Sequence, residues 1–236
     1  MHTEHSISLI DKKIEIERID KFLTEYSIEH LNVNIFHISL TKAYEYLNND
    51  VHRGKIIASL LDIQATYLHL HIDNNLSMRT WQSGFRSLDS ATPLRAETYE
   101  WFKYQIHSLR SLNAFVLRYR SIWDKILSLL ILIHAPQAYE GFQGAKSRKR
   151  AFKKIYDKNP FLPTLDMDNL LSHIERFDNS YRTAEAHGTG VLRKKLLVDP
   201  PGEADPHLPM TIQMNFLVRF IADLSEAVFE GRANIP

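Results

Sequence analysis

A chain of 236 residues, 44% apolar and 24% charged, can bury one sizeable core, and its net charge of +1 excludes polyanion binding by bulk field alone. Any contact with nucleic acid therefore has to come from local clustering of cations. The absence of cysteine excludes disulfides, thiolate metal sites and a cysteine nucleophile.

Glycine is scarce and apolar residues recur at helical spacing, so the chain reads as all-α. Ile16, Ile19, Leu23 and Tyr26 step by three and four, which predicts a first helix over about 11–30. The β-branched run 33–38 reads equally as strand or loop. Thr41 suits an N-cap for 42–48, and a stronger helix follows over 51–71. Asn74-Asn75, Ser83-Gly84 and Pro93 then mark a loop over about 73–94. That loop divides an N-terminal helical layer, 1–92, packed on the core, from a larger helical domain, 93–236.

The clearest element is a long central helix. Phe102, Gln105, Leu109, Leu112, Val116, Tyr119, Trp123, Ile126, Leu130 and Ile133 alternate steps of three and four, and Pro136 ends the pattern. At 1.5 Å per residue such a helix exceeds about 50 Å, which suits core packing and also the backbone of a homodimer. Its apolar run, 126–133, falls far short of the ~20 residues that span a bilayer. The opening residues 1–5 show no basic region leading into an apolar one, so the expectation is a soluble, cytoplasmic protein without membrane contact.

Further along, 146–158 reads as a basic helix. Lys146, Arg148, Lys149, Arg150, Lys153 and Lys154, with Phe142 and Phe152 nearby, form a cluster that can track an RNA backbone or simply make a solvated face. After Pro160 and Pro163, Asp166 or Asp168 caps a helix over 167–187, with Leu170, Ile174, Phe177, Tyr181 and Ala184 along it and Gly188 and Gly190 stopping it. Residues 191–198 suit a strand or hairpin arm, 199–209 a surface loop, and 211–229 a final amphipathic helix carrying Phe216, Phe220, Leu224 and Val228. His69 and His71, two apart on a helix, point to different faces and make poor metal ligands. Trp81, Trp101 and Trp123 read as core anchors.

Two short motifs carry chemistry. Tyr181-Arg182-Thr183-Ala184-Glu185-Ala186-His187-Gly188 sets an arginine and a histidine, separated by four residues, at a helix end. Upstream, Arg120-Ser121-Ile122-Trp123-Asp124-Lys125-Ile126 lies on the central helix. Their order and placement resemble the HEPN superfamily, helical bundles with an Arg-x4-6-His motif near a late helix, and the resemblance covers about 95–229. It implies a HEPN-like bundle in which two Arg-His motifs meet across a homodimer to cleave RNA without metal or other cofactor. Thr183 stands where a common variant has Asn, and Thr189 where some members carry a Tyr that receives adenylyl groups, so that silencing route is not expected.

The chemistry fits the residue types. Histidine, with an ordinary pKa of ~6.5, serves as base or acid, and arginine clamps phosphate oxygens bidentately. His187 is thus assigned proton transfer and Arg182 phosphate clamping, with Thr183, Glu185 and Asp124 supporting. Five positions rotate a helix by about 140°, so Arg182 and His187 share no face of an unbroken helix. Either the helix unwinds near Gly188 or two subunits combine their groups. The reading is a metal-independent endoribonuclease of toxin or phage-defence type, whose partners are RNA and an antitoxin or regulatory protein. Its rivals are a non-catalytic module that binds RNA or nucleotide, and a helical interaction domain in which Arg182 merely sits beside a histidine favoured by the helix dipole.

Overall fold

The computed structural model describes residues 52–88, 94–186, 192, 194 and 207–230. The chain divides into units Met1–Ile35 and Phe36–Pro236, and every described residue lies in the second. The expected helices over 11–30 and 42–48 and the run 33–38 lie outside the described residues.

Two long helices, α1 (Arg53–Leu88) and α2 (Leu94–His134), form the frame. Along α1 the buried residues Ile56, Leu60, Ile63, Tyr67 and Leu70 recur at alternating steps of four and three. The α2 seam answers with Gln105, Leu109, Leu112, Val116, Tyr119, Trp123, Ile126 and Leu130, all buried, whereas its two ends are not: Phe102 is 54% exposed and Ile133 is half-buried. Two such 3.5-residue seams pack at a shallow crossing angle. The helices run antiparallel, because Asp62 meets Lys125 near one end of the pair and Ser77 meets Ser108 near the other.

Helix α1 corrects the expected loop over 73–94, since residues 73–88 are helical. The signals at Asn74-Asn75 and Ser83-Gly84 are overridden by tertiary contact. Buried Asp73 is ion-paired with Arg118 of α2. Ser77 and Ser108, both fully buried, join hydroxyls at 2.8 Å, and each hydroxyl also lies within reach of the other's carbonyl. Small side chains at this crossing bring the two backbones close and satisfy every hydroxyl they bury.

After α2 the chain turns through Pro136–Ala138 and a short helix α3 (Tyr139–Gln143) into α4 (Arg148–Lys158). Ser147 caps α4, its side chain accepting from the Arg150 N–H, and Asp166 caps α5 (Met167–Phe177) in the same way through Asn169 N–H at 2.9 Å. Between them Leu162 holds the left-handed φ of 51°, a conformation costly for a branched side chain. Its neighbour Phe161 is pinned there by the ring of His134, stacked at 4.7 Å, and by Phe152 and Tyr156 edge-on.

A wide turn of π geometry, Asp178–Arg182, follows α5 and leads into one α-helical turn, α6 (Thr183–Ala186). The last long helix, α7 (Leu208–Ser225), buries Met210, Met214, Leu217, Phe220, Ile221 and Leu224 and continues into a second wide turn, Glu226–Glu230. Leu192 and Lys194, the two described positions of the stretch read as a strand or hairpin arm, are helical. Among the described residues there is no strand, and the fold is an all-α helical bundle.

A layer of aromatic residues surrounds Tyr119 and Trp123 of α2. Trp123 meets Phe216 and Phe220 of α7 edge-on, and Phe216 stacks on His173 of α5 at 3.6 Å between centroids. The Tyr119 hydroxyl donates to the Gln213 carbonyl at 2.9 Å and, with its one proton so used, accepts from the Nε2–H of His173 at 2.9 Å. Burial, with the nearby Arg176 charge second, lowers the His173 pKa from 6.5 to about 4, and burial raises that of Tyr119. His71, whose Nε2 pairs with the Tyr67 hydroxyl at 2.9 Å, is likewise lowered by burial to about 4.

These two histidines set the sign of a pH dependence. Below pH 6.5 the unfolded chain binds protons that folded His173 and His71 refuse, so stability falls as pH drops from 6.5 towards about 4. Each group contributes up to about 1.4 kcal/mol per pH unit of that window. Urea midpoints at pH 7 and pH 4.5 should fall steeply for the native chain and less steeply for His173→Gln.

Candidate functional site

The two sequence motifs meet where α2 passes the end of α5. On α2, Tyr119 and Trp123 face the core, and Arg120 and Asp124, each one residue further round, share the adjoining face. The Arg120 side chain is only 10% exposed. Its Nη1 lies 2.6 Å from Asp124 Oδ1, and its Nε donates to Asp178 Oδ2 at 3.0 Å. Asp178 opens the wide turn, and its Oδ1 lies 3.6 Å from Arg182 Nη1 at the turn's far end. Asp124, Arg120, Asp178 and Arg182 thus form one ionic series of alternating sign.

The bonds in this series are unequal. The Nε–Oδ2 contact is an aligned hydrogen bond, whereas Arg120 Nη1, Asp124 Oδ1 and Asp178 Oδ1 are buried atoms without one. At 3.6 Å the link to Arg182 is an ion contact beyond hydrogen-bond range, and its guanidinium is 52% exposed. Arg120 is therefore embedded and Arg182 presented.

The apolar side of the wide turn is fastened as well. Phe177 is buried with its ring 4.5 Å from Tyr119, and Tyr181 packs on Phe177 at 5.3 Å. Burial raises the Tyr181 pKa above the usual phenol value. The Thr183 N–H reaches back five residues to the Asp178 carbonyl, which closes the turn. Such π turns insert an extra residue into a helix and recur at functional positions.

Within the Arg120-to-Ile126 run, Arg120 holds the turn, Asp124 pairs with Arg120, and Ile126 is fully buried. Lys125 crosses to α1, where its Nζ donates to Asp62 at 2.7 Å and Thr66 at 2.6 Å. Asp124, expected to support Arg182, stands three ionic contacts from it.

Thr183 is exposed, Glu185 is helical in backbone, and His187 lies outside the described residues, as do Gly188 and Thr189. In the basic cluster three of the six cations are engaged: Arg148 donates to Gln143 at 3.0 Å, Lys149 pairs with Glu175 at 3.2 Å, and Lys153 lies 3.3 Å from both Asp157 and Asp168. The contacts to Glu175 and Asp168 tie α4 to α5. Lys146, Arg150 and Lys154 are exposed, and Arg150, Lys154 and Lys158 follow one another at four-residue steps along the outer face of α4. Trp123 is a core anchor, while the side chains of Trp81 and Trp101 lie outside the described residues. Among the described residues no three His, Cys, Asp or Glu gather as a metal site, and no helix is long and apolar enough to cross a membrane.

Asp178 is the site residue that the sequence reading missed. One signal pointed to it: an aspartate four positions before an arginine is a helical ion-pair spacing. The bond from Arg120, fifty-eight positions away, left no such trace.

No protein-family model matches the chain, and no curated protein or solved structure matches it. What the fold and site define is an all-α bundle with a partly sheltered ionic series that ends at an exposed arginine.

The series separates structural from presented charge in a measurable way. Arg120→Ala strips the partner from two largely sheltered carboxylates and should lower unfolding free energy by about 2–3 kcal/mol, less than a fully buried pair because both carboxylates keep some water. Arg182→Ala removes a half-exposed charge and should cost under about 1 kcal/mol. Urea denaturation at pH 7 checks the ordering.

Proposed function

We propose that the protein is a metal-independent endoribonuclease of toxin or phage-defence type, built on a HEPN-like bundle, with Arg182 and His187 as its catalytic pair. One observation supports this reading above the others: Arg120 and Arg182, from the two motifs that carry the family resemblance and far apart in sequence, are joined through Asp178 by contacts of 3.0 and 3.6 Å. A partly sheltered ionic framework ending at a half-exposed guanidinium suits a group that must hold one position while binding an anion.

In the proposed step the ribose 2′-hydroxyl loses its proton to the His187 imidazole as its oxygen attacks phosphorus. The 5′-oxygen leaves with a proton donated by the protonated imidazole of the second copy's His187, and a 2′,3′-cyclic phosphate remains. The Arg182 guanidinium clamps the non-bridging oxygens, whose negative charge grows in the transition state. Two copies of the pair face one another across a homodimer, as the resemblance implies, and an antitoxin or regulatory protein restrains them. Arg150, Lys154 and Lys146 guide the RNA backbone, because they are exposed on the outer side of the cluster while Arg148, Lys149 and Lys153 are engaged by neighbouring side chains.

Purified protein in EDTA should cut a single-stranded RNA and leave cyclic phosphate ends, and His187→Ala or Arg182→Ala should each reduce the rate by at least about a hundredfold. Intact RNA with the native protein, or undiminished cleavage by both variants, overturns the assignment. Binding without cutting marks a non-catalytic RNA-binding module instead. Arg150→Ala and Lys154→Ala should each flatten the slope of log affinity against log salt by about 0.7 for a single strand, whereas Lys153→Ala should leave it nearly unchanged.

A further inference from the structure

We infer that Asp178 is a positioning residue, the group that fixes the Arg182 guanidinium where the proposed reaction needs it. The kinetic consequence rests on the nuclease reading, but the geometry does not.

Asp178 divides its two oxygens between two arginines. Oδ2 accepts from Arg120 Nε at 3.0 Å, and Arg120 is itself sheltered and held at 2.6 Å by Asp124. That side of the carboxylate is anchored to α2. The other oxygen, Oδ1, is buried and has no hydrogen bond, and Arg182 Nη1 stands 3.6 Å from it. A buried acceptor without a donor is costly, so an approaching guanidinium is drawn to it. The attraction orients Arg182 without using up its donors, because at 3.6 Å no hydrogen bond is made. The five N–H groups of an arginine then stay available to a phosphate.

The backbone adds to this hold. Asp178 and Arg182 are the two ends of the wide turn, which is closed by Thr183 N–H on the Asp178 carbonyl and seated on Tyr119 through Phe177. Asp178 therefore controls Arg182 twice, through its carboxylate and through the turn it opens. Only the first of these is lost in Asp178→Asn, a change that keeps shape and removes charge.

Three proteins are compared in steady-state cleavage of one RNA oligonucleotide: Asp178→Asn, Arg182→Ala and the double variant. The expected result is a kcat about tenfold lower for Asp178→Asn with no rise in KM, and a double variant no slower than Arg182→Ala alone. Losses that multiply in the double variant, or an unchanged kcat in Asp178→Asn, overturn the positioning role. A second measurement does not depend on cleavage: the 15Nε–1Hε signals of Arg120 and Arg182 should both shift in Asp178→Asn and stay in place in Asp157→Asn, a surface control. An Arg182 signal unmoved by loss of the Asp178 charge overturns the inference even where the enzyme is active. If the native protein cuts no RNA, the nuclease reading fails while these signals still decide whether Asp178 holds Arg182. Should Asp178→Asn not fold, Asp124→Asn takes its place in both arms. It loosens Arg120 from the far side and should lower kcat about two- to fivefold while moving the Arg120 and Arg182 signals. A variant identical to the native protein in both arms overturns the inference.

Discussion

One stretch of α2, from Tyr119 to Asp124, has to satisfy two environments at once, and the described fold is organised by how it does so. Tyr119 and Trp123 turn into an aromatic layer shared with α5 and α7, where the Tyr119 hydroxyl is bonded on one side to His173 and on the other to the Gln213 carbonyl. Arg120 and Asp124 occupy the neighbouring face, where Arg120, paired with Asp124, grips Asp178 at the end of α5. A helix turns by about 100° per residue, so consecutive positions serve the apolar and the ionic tasks without any break in the backbone. The aromatic contacts fix where α5 lies, and the ionic ones fix how its last turn ends.

Charge has two uses in this molecule, and the structure keeps them apart. Lys125 bridges α2 to α1, Lys149 and Lys153 bridge α4 to α5, and Arg118 reaches Asp73 across the long helix pair. These are fastenings between elements. Arg150 and Lys154 of the basic helix, and the half-exposed Arg182 of the other motif, are turned outward instead. A count of basic residues along 146–154 cannot distinguish the two sets, because the distinction depends on which carboxylates a neighbouring helix brings alongside.

Much of the helical frame was legible in the sequence. The alternating spacing from Gln105 to Leu130 identified the buried seam of α2, Pro136 marked its end, and Asp166 was readable as the cap of α5. Local rules failed where distant contacts overrode them. Asn74, Asn75 and Gly84 signalled a loop, yet α1 runs through them to Leu88, braced by Asp73 on Arg118 and Ser77 on Ser108. The exposed Phe102 shows the converse, an apolar residue in register with a seam that is buried from Gln105 to Leu130. At the candidate site, the sequence named Arg182, Asp124 and the Arg120 run but not the carboxylate that joins them. The wide turn was also unreadable, since its five residues carry no signature apart from the hydrogen bond that closes it.

The ionic series has an even number of members, two carboxylates and two guanidiniums, and its formal charges cancel. Deleting the outermost cation therefore does not create an electrically blank surface. It leaves a surplus anion at the mouth of the series, which repels any phosphate that approaches. A defect produced by trimming position 182 would combine a missing handhold with a newly hostile field, and only a companion change that also neutralises position 178 weighs the two separately.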